Sequence, residues 1–195
     1  MFDPEPDGAT PLDPDEADAL LPAHIHTRGE LNLWEQANIL EGARWAARTR
    51  TSALSDGMIR ELHRRMFAET WARAGHYRTS NKNIGVNWSL ISVEVRNLVD
   101  DGKHWFKHGT FSVDEAAARL HHRLVKIHPF PNGNGRHARL WCDTLLRQQD
   151  RPPFMWKSGE LDSDGAARRA YIAALRAADG QDYALLFRLL LGDRP

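Results

Sequence analysis

The residues with the clearest chemical potential lie in one string, His128-Pro129-Phe130-Pro131-Asn132-Gly133-Asn134-Gly135-Arg136-His137-Ala138-Arg139. An imidazole titrates near neutral pH, so His128 suits a base that takes a proton from an attacking hydroxyl. The glycines let backbone approach a ligand closely, and a helix starting near Gly135 would aim free amides and its positive dipole end at the same volume. Together these make an anion hole. Arg136 and Arg139 stand three positions apart, a spacing that predicts two guanidiniums on one helix face, gripping successive phosphates.

A plainer arrangement has the same sequence: a Gly-Asn-Gly turn joining two helices, with arginines exposed beyond it. Other phosphate and metal chemistries fit less well. No Gly-Lys-Ser or Gly-Lys-Thr occurs, which excludes a Walker A loop. His121, His122, His128 and His137 lack acidic or cysteine partners at zinc-site spacing.

Positioning this string requires helices on both sides. Leu33, Trp34, Ala37, Leu40 and Trp45 recur at helical spacing and predict a helix over 30–49 with that apolar stripe. Ser55 or Asp56 caps a second helix over 56–69, carrying Ile59, Leu62, Met66 and Phe67 on one face. The turn-forming stretch 75–87 predicts a short hairpin or extended loop, and helical periodicity returns at 89–107. Ser112 caps a helix to Ile127, and Pro129 disfavours helical geometry at His128. Residues 135–149 carry Leu140, Trp141, Leu145 and Leu146 as a stripe, with further helices over 166–178 and 182–191. The fold class expected is mainly α, a helical bundle with one small β-hairpin.

Composition bounds the remaining possibilities. The 195 residues suit one domain, and 26 basic against 26 acidic side chains leave no global field to draw in nucleic acid or an anionic membrane. Residues 1–27 hold seven acids and five prolines without lysine or arginine, which reads as an arm. Cys142, the single cysteine, falls among Leu140, Trp141 and Leu145 and is expected to be buried. The absence of a signal-like start or a spanning apolar run makes the cytoplasm the expected compartment.

The string resembles the signature of the Fic/Doc (Fido-domain) family, H-x-F-x-[D/E]-G-N-G-R-x-x-R, departing only at Asn132. The resemblance runs over about 55–191, and the acidic arm and Pro-Asn-Gly-Asn-Gly variant look most like the subgroup called mobile mystery protein B. It implies an arm at 1–27, an N-terminal helix at 28–54 with an inhibitory motif, and a Fic domain at 55–195. Its implied activity is transfer of AMP from ATP to a Ser, Thr or Tyr hydroxyl of a target protein. By resemblance His128 is the general base, Phe130 the anchor of the loop, and Gly133, Asn134, Gly135 and Arg136 the phosphate cradle. Arg139 would grip the γ-phosphate, and Asn83, Ile84 and Gly85 would belong to a flap that docks the target. Magnesium is implied, with Asn132 replacing its usual acidic ligand by a neutral amide.

Ala37-Asn38-Ile39-Leu40-Glu41-Gly42 resembles the family's inhibitory pattern [S/T]-x-x-x-E-[G/N] except at its first position. The implied role of Glu41 is to pair with Arg139 and take the space of the γ-phosphate; such a glutamate is also implied in removing AMP. A regulatory partner encoded beside the gene is a further family expectation. Three alternatives stay open: Doc-like phosphate transfer, disfavoured by Gly135 where those members have lysine; a binding protein that has lost catalysis; and a DNA-binding helical domain, disfavoured by the neutral charge.

Overall fold

Thr27 shows how the chain begins its helices: its hydroxyl accepts from the Glu30 amide while the Glu30 carboxylate accepts from the Thr27 amide. This reciprocal cap satisfies amides that a helix start leaves open. A computed structural model describes residues 19–25, 27–156, 161 and 165–192; residues 1–18 of the expected arm lie outside the described residues. Among the described residues are seven α-helices: α1 (Arg28–Arg48), α2 (Asp56–Phe67), α3 (Ile91–His108), α4 (Val113–Ile127), α5 (Asn134–Gln148), α6 (Ala166–Asp179) and α7 (Ala184–Leu190). Ser55 and Ser112 cap α2 and α4 through their side chains, at the positions the sequence marks.

The core forms where α2, α4 and α5 bring together Ile59, Leu62, Phe67, Leu120, Leu124, Trp141 and Leu145. Cys142 is buried there too. Burial of such side chains contributes about 1.5–3 kcal/mol each and holds the ends of α4 and α5 in place. Trp141 donates its indole N–H to the Ala53 carbonyl at 2.9 Å, tying α5 to the segment before α2. α1 lies along α2 and reaches α5, where Arg147 donates to the Ala46 carbonyl at 2.7 Å.

Two expectations are corrected. The stretch 75–87 is not a β-hairpin: no named strand occurs among the described residues, only an isolated bridge between Leu20 and Trp71. The Arg78 guanidinium donates to the carbonyls of Ser80 and Val86, and the Val86 amide donates to the Ile127 carbonyl at 3.4 Å. A cross-strand ladder would need those groups.

The second correction concerns α1. Leu33, Leu40 and Trp34 are exposed at 70%, 53% and 36%, whereas Leu31, Glu35, Gly42 and Ala46 are buried. Gly42 explains the choice of face, because a Cβ there would stand 2.7 Å from Met66 Cγ. Close approach to α2 and a paired acid outweigh the larger apolar residues on the opposite side.

Candidate active site

α4 ends at Ile127, and His128 takes the left-handed conformation (φ 53°, ψ 59°) as its C-cap. Such a conformation costs about 1–2 kcal/mol for an L-residue, so surrounding contacts must impose it. His128 is buried, and its imidazole is pushed down to about 4, chiefly by burial and then by the Arg78 charge, with Lys82 adding to the effect. At neutral pH it is therefore a neutral ring able to accept a proton.

The loop that follows is closed from within. Phe130 is fully buried and stacks on His63, with ring centroids 3.8 Å apart. Asn134 spends its side chain on the same residue, accepting from the Phe130 amide at 2.9 Å and donating to the Phe130 carbonyl at 2.8 Å. Its side chain braces the loop, so any phosphate contact by Asn134 falls to its backbone amide. His63 accepts from the Gly75 amide at 3.0 Å through Nδ1, so Nε2 carries the proton donated to the Asn132 carbonyl at 3.1 Å. Burial holds His63 well below the usual imidazole range, as that tautomer requires.

The glycines of the loop differ. Gly133 has φ 68°, and a Cβ would lie 2.5 Å from the Phe67 ring, so packing demands glycine. Gly135 meets nothing within 4 Å. Its missing side chain leaves room on the outside of the α5 N-terminus, where no side chain caps the first amides.

The arginines reach different surroundings. Arg136 forms an ion pair with Glu35 of α1 at 2.8 Å and lies 5.4 Å from the Phe67 ring centroid. Glu35 is buried and also accepts from the Trp71 indole at 2.8 Å. Arg139 is buried, close enough for its charge to oppose protonation of His121 and favour ionisation of Tyr171. Glu41 is elsewhere: its side chain is 67% exposed and pairs with Arg44. Its expected pairing with Arg139 is thus replaced by a local helix pair, and the carboxylate that does meet the loop is Glu35, six residues before Glu41.

Asn132 lines a cavity of about 310 Å³ with Trp71, Arg73, Thr79, Ser80 and Lys82. No group of three or more His, Cys, Asp or Glu side chains suited to a metal occurs among the described residues. A neutral amide without carboxylate neighbours does not fit a cation held by the protein alone. Asn83, Ile84 and Gly85 lie on the loop that passes His128: a Cβ on Gly85, at φ 100°, would stand 2.7 Å from His128 Cβ. Sequence reasoning gave no individual role to Arg78, His63 or Glu35, whose signal was polarity at positions that helical or turn geometry turns inward.

The Fic/DOC family profile matches residues 53–146, from the segment before α2 to the last turns of α5. Residues 53–146 carry a Fic/DOC family domain. It is 33% identical over 105 residues to the protein adenylyltransferase Fic-1 of Caenorhabditis elegans, covering 50% of this chain and 20% of that protein. It is 32% identical over 101 residues to the protein adenylyltransferase Fic of Drosophila mojavensis, covering 50% and 20%. The chain thus spans about a fifth of the length of these curated relatives. Among solved structures, Fic-1 of C. elegans aligns with TM-score 0.64 and 26% identity over 89% of this chain and 51% of the other. The BepC effector of Bartonella tribocorum, solved with bound AMPPNP, aligns with TM-score 0.66 and 16% identity over 89% and 94%. That last likeness speaks to the fold.

Proposed function

We propose that this protein transfers AMP from ATP to a Ser, Thr or Tyr hydroxyl of a target protein. The observation that carries this reading is the joining of a neutral His128 to a braced loop whose outer side is left open at Gly135. The relatives named protein adenylyltransferases support it. The phosphates of ATP would lie on the first amides of α5, with Arg136 and Arg139 balancing their charge. The acceptor oxygen attacks the α-phosphorus as His128 takes its proton; the bond from that phosphorus to the bridging oxygen breaks, and pyrophosphate leaves. Positioning and charge stabilisation would provide most of the acceleration. Magnesium would enter on the nucleotide's own phosphates, with Asn132 at most a neutral contact.

In this reading the restraint on the site belongs to Glu35. Its carboxylate already holds Arg136, the first arginine that incoming phosphates require. Glu41, pointing to solvent, is not needed for it. A binding protein without catalysis remains the second reading, favoured by Asn132. The target and the compartment follow from neither; among the described residues, no helix is long and apolar enough to cross a membrane.

Transfer from α-labelled ATP in a host lysate, with magnesium present, tests the proposal. Labelling is expected from Glu35→Gln and is expected to fall by roughly 100- to 10,000-fold when His128→Ala is added, the range for removing a general base. ATP binding without labelling by any form would move the assignment to the second reading.

A further inference from the structure

Arg78 is a buried cation whose guanidinium, among the described residues, hydrogen-bonds to backbone carbonyls. Nε donates to the His128 carbonyl at 2.8 Å, Nη1 to Ser80 at 2.7 Å, and Nη2 to Val86 and, at 3.5 Å, to Ile127. Its own amide donates to the Pro129 carbonyl at 2.9 Å. The residues so joined belong to two segments: both ends of the 79–86 loop, and the chain from the last residue of α4 to Pro129. A cation is favoured at carbonyls that end a helix, which accounts for its stability there without an acid. Only a planar fork with five donors can reach carbonyls in several directions; lysine brings the charge without that geometry.

Three features make this more than a helix cap. His128, the residue whose carbonyl is held, has a left-handed backbone that must be imposed. Gly85 passes so close that a Cβ would meet both His128 Cβ at 2.7 Å and Arg78 Nη2 at 2.8 Å. And the groups bearing on the His128 charge are Arg78 itself and Lys82 of the same loop, beside the favourable Val125 carbonyl.

We infer that Arg78 is a positioning residue, a clasp that makes His128 and the 79–86 loop one rigid unit so that a hydroxyl carried on the loop meets the imidazole. The inference rests on the proposed roles of His128 as base and of the loop as the acceptor's dock. Through the clasp, a disturbance of the loop reaches the base directly, and the base cannot relax while the loop is in place.

The test uses the full chain in three forms, Arg78→Gln, Arg78→Lys and Gly85→Ala, the last disturbing the clasp from the loop side with the arginine kept. Labelling from α-labelled ATP in the Glu35→Gln background, ATP binding by calorimetry, the His128 titration by NMR and trypsin cleavage at Lys82 are measured together. Arg78→Gln is expected to lower labelling at saturating ATP by roughly 100-fold, the size of a misplacement by about 1 Å, with ATP affinity unchanged. Its His128 titration should rise from about 4 towards the ordinary imidazole value, and Lys82 should be cut faster. Arg78→Lys should keep the low titration yet lose labelling, separating geometry from charge; Gly85→Ala should lose labelling with Arg78 intact. Wild-type labelling by a folded Arg78→Lys would overturn the inference, and this variant with Gly85→Ala decides if Arg78→Gln does not fold. If the parent protein labels nothing, the functional reading has failed. The clasp is then judged by the other two readouts: movement of both the His128 titration and the Lys82 cleavage supports it, and an unmoved pair overturns it.

Discussion

The loop from His128 to Arg139 and helix α1 face each other across Arg136, and they differ in how their sequences encode them. In the loop each residue type has a local reason: Pro129 stops α4, Gly133 takes a left-handed φ of 68° before α5, and Asn134 closes on Phe130. In α1 the reasons are distant. Glu35 is buried because Trp71 and Arg136 meet it, and Gly42 is buried because Met66 leaves no room for a Cβ. Local constraints can be seen in a string of letters; constraints supplied by another element cannot.

The two regions should respond differently to acid. His63, His128 and His137 surround the loop, His121 lies behind it on α4, and burial lowers all of them, to about 4 for His128 and about 3 for His121 and His137. Between the unfolded value near 6.5 and these folded values, the unfolded chain binds protons that the folded one refuses. Their stabilisation is complete above about pH 6.5 and is lost as pH falls through about 4 and 3. Urea midpoints should be level above about pH 6.5 and decline from there to about pH 4.5, and hydrogen exchange should rise first at α4 and the loop. A flat midpoint over that range would show that the histidines are not held neutral.

Next in size is the contrast between the carboxylates of α1. Glu35→Ala leaves Arg136 and the Trp71 indole without their acceptor, and removing one partner of a buried pair costs about 3–5 kcal/mol. Glu41→Ala removes an exposed i,i+3 pair and should cost about 0–1 kcal/mol. Chemical denaturation of the two variants gives both numbers. Equal costs would mean that the face of α1 has been misplaced.

The loop glycines sharpen the same point on a smaller scale. Gly133→Ala should destabilise by about 1–3 kcal/mol through overpacking against Phe67. Gly135→Ala should leave stability unchanged or slightly raised, by up to about 1 kcal/mol, yet weaken ATP binding if, as proposed, the phosphates lie in the space outside Gly135. Smallest is Asn132→Asp, expected to lower the magnesium concentration for half-maximal labelling by bringing a charge to a neutral position. An unchanged magnesium titration would reject a metal contact there.

Most helix positions were legible from apolar spacing and serine caps, and the placement of His128 at a helix end followed from Pro129. The α1 face was not, since apolar periodicity counts Leu33, Trp34 and Leu40 towards a core that excludes them. For 79–86 the turn-forming residues do not separate a hairpin from an extended loop, because the hydrogen-bond partner there is a side chain, Arg78, that no strand pattern anticipates. In the site, the His-to-Arg string was visible as a unit. The family motif points to Glu41, one helix face away from the Glu35 that meets Arg136, because motif spacing carries no information about which side of α1 meets α5.

Labelling by Glu35→Gln and by Glu41→Gln, each against wild type with α-labelled ATP, tests most directly the claim that a phosphate site formed by residues 128–139 is held closed by Glu35. Glu35→Gln keeps an acceptor for Trp71 while removing the charge that occupies Arg136. It should label faster than wild type, and Glu41→Gln should match wild type. Faster labelling by Glu41→Gln, with Glu35→Gln unchanged, would contradict the account.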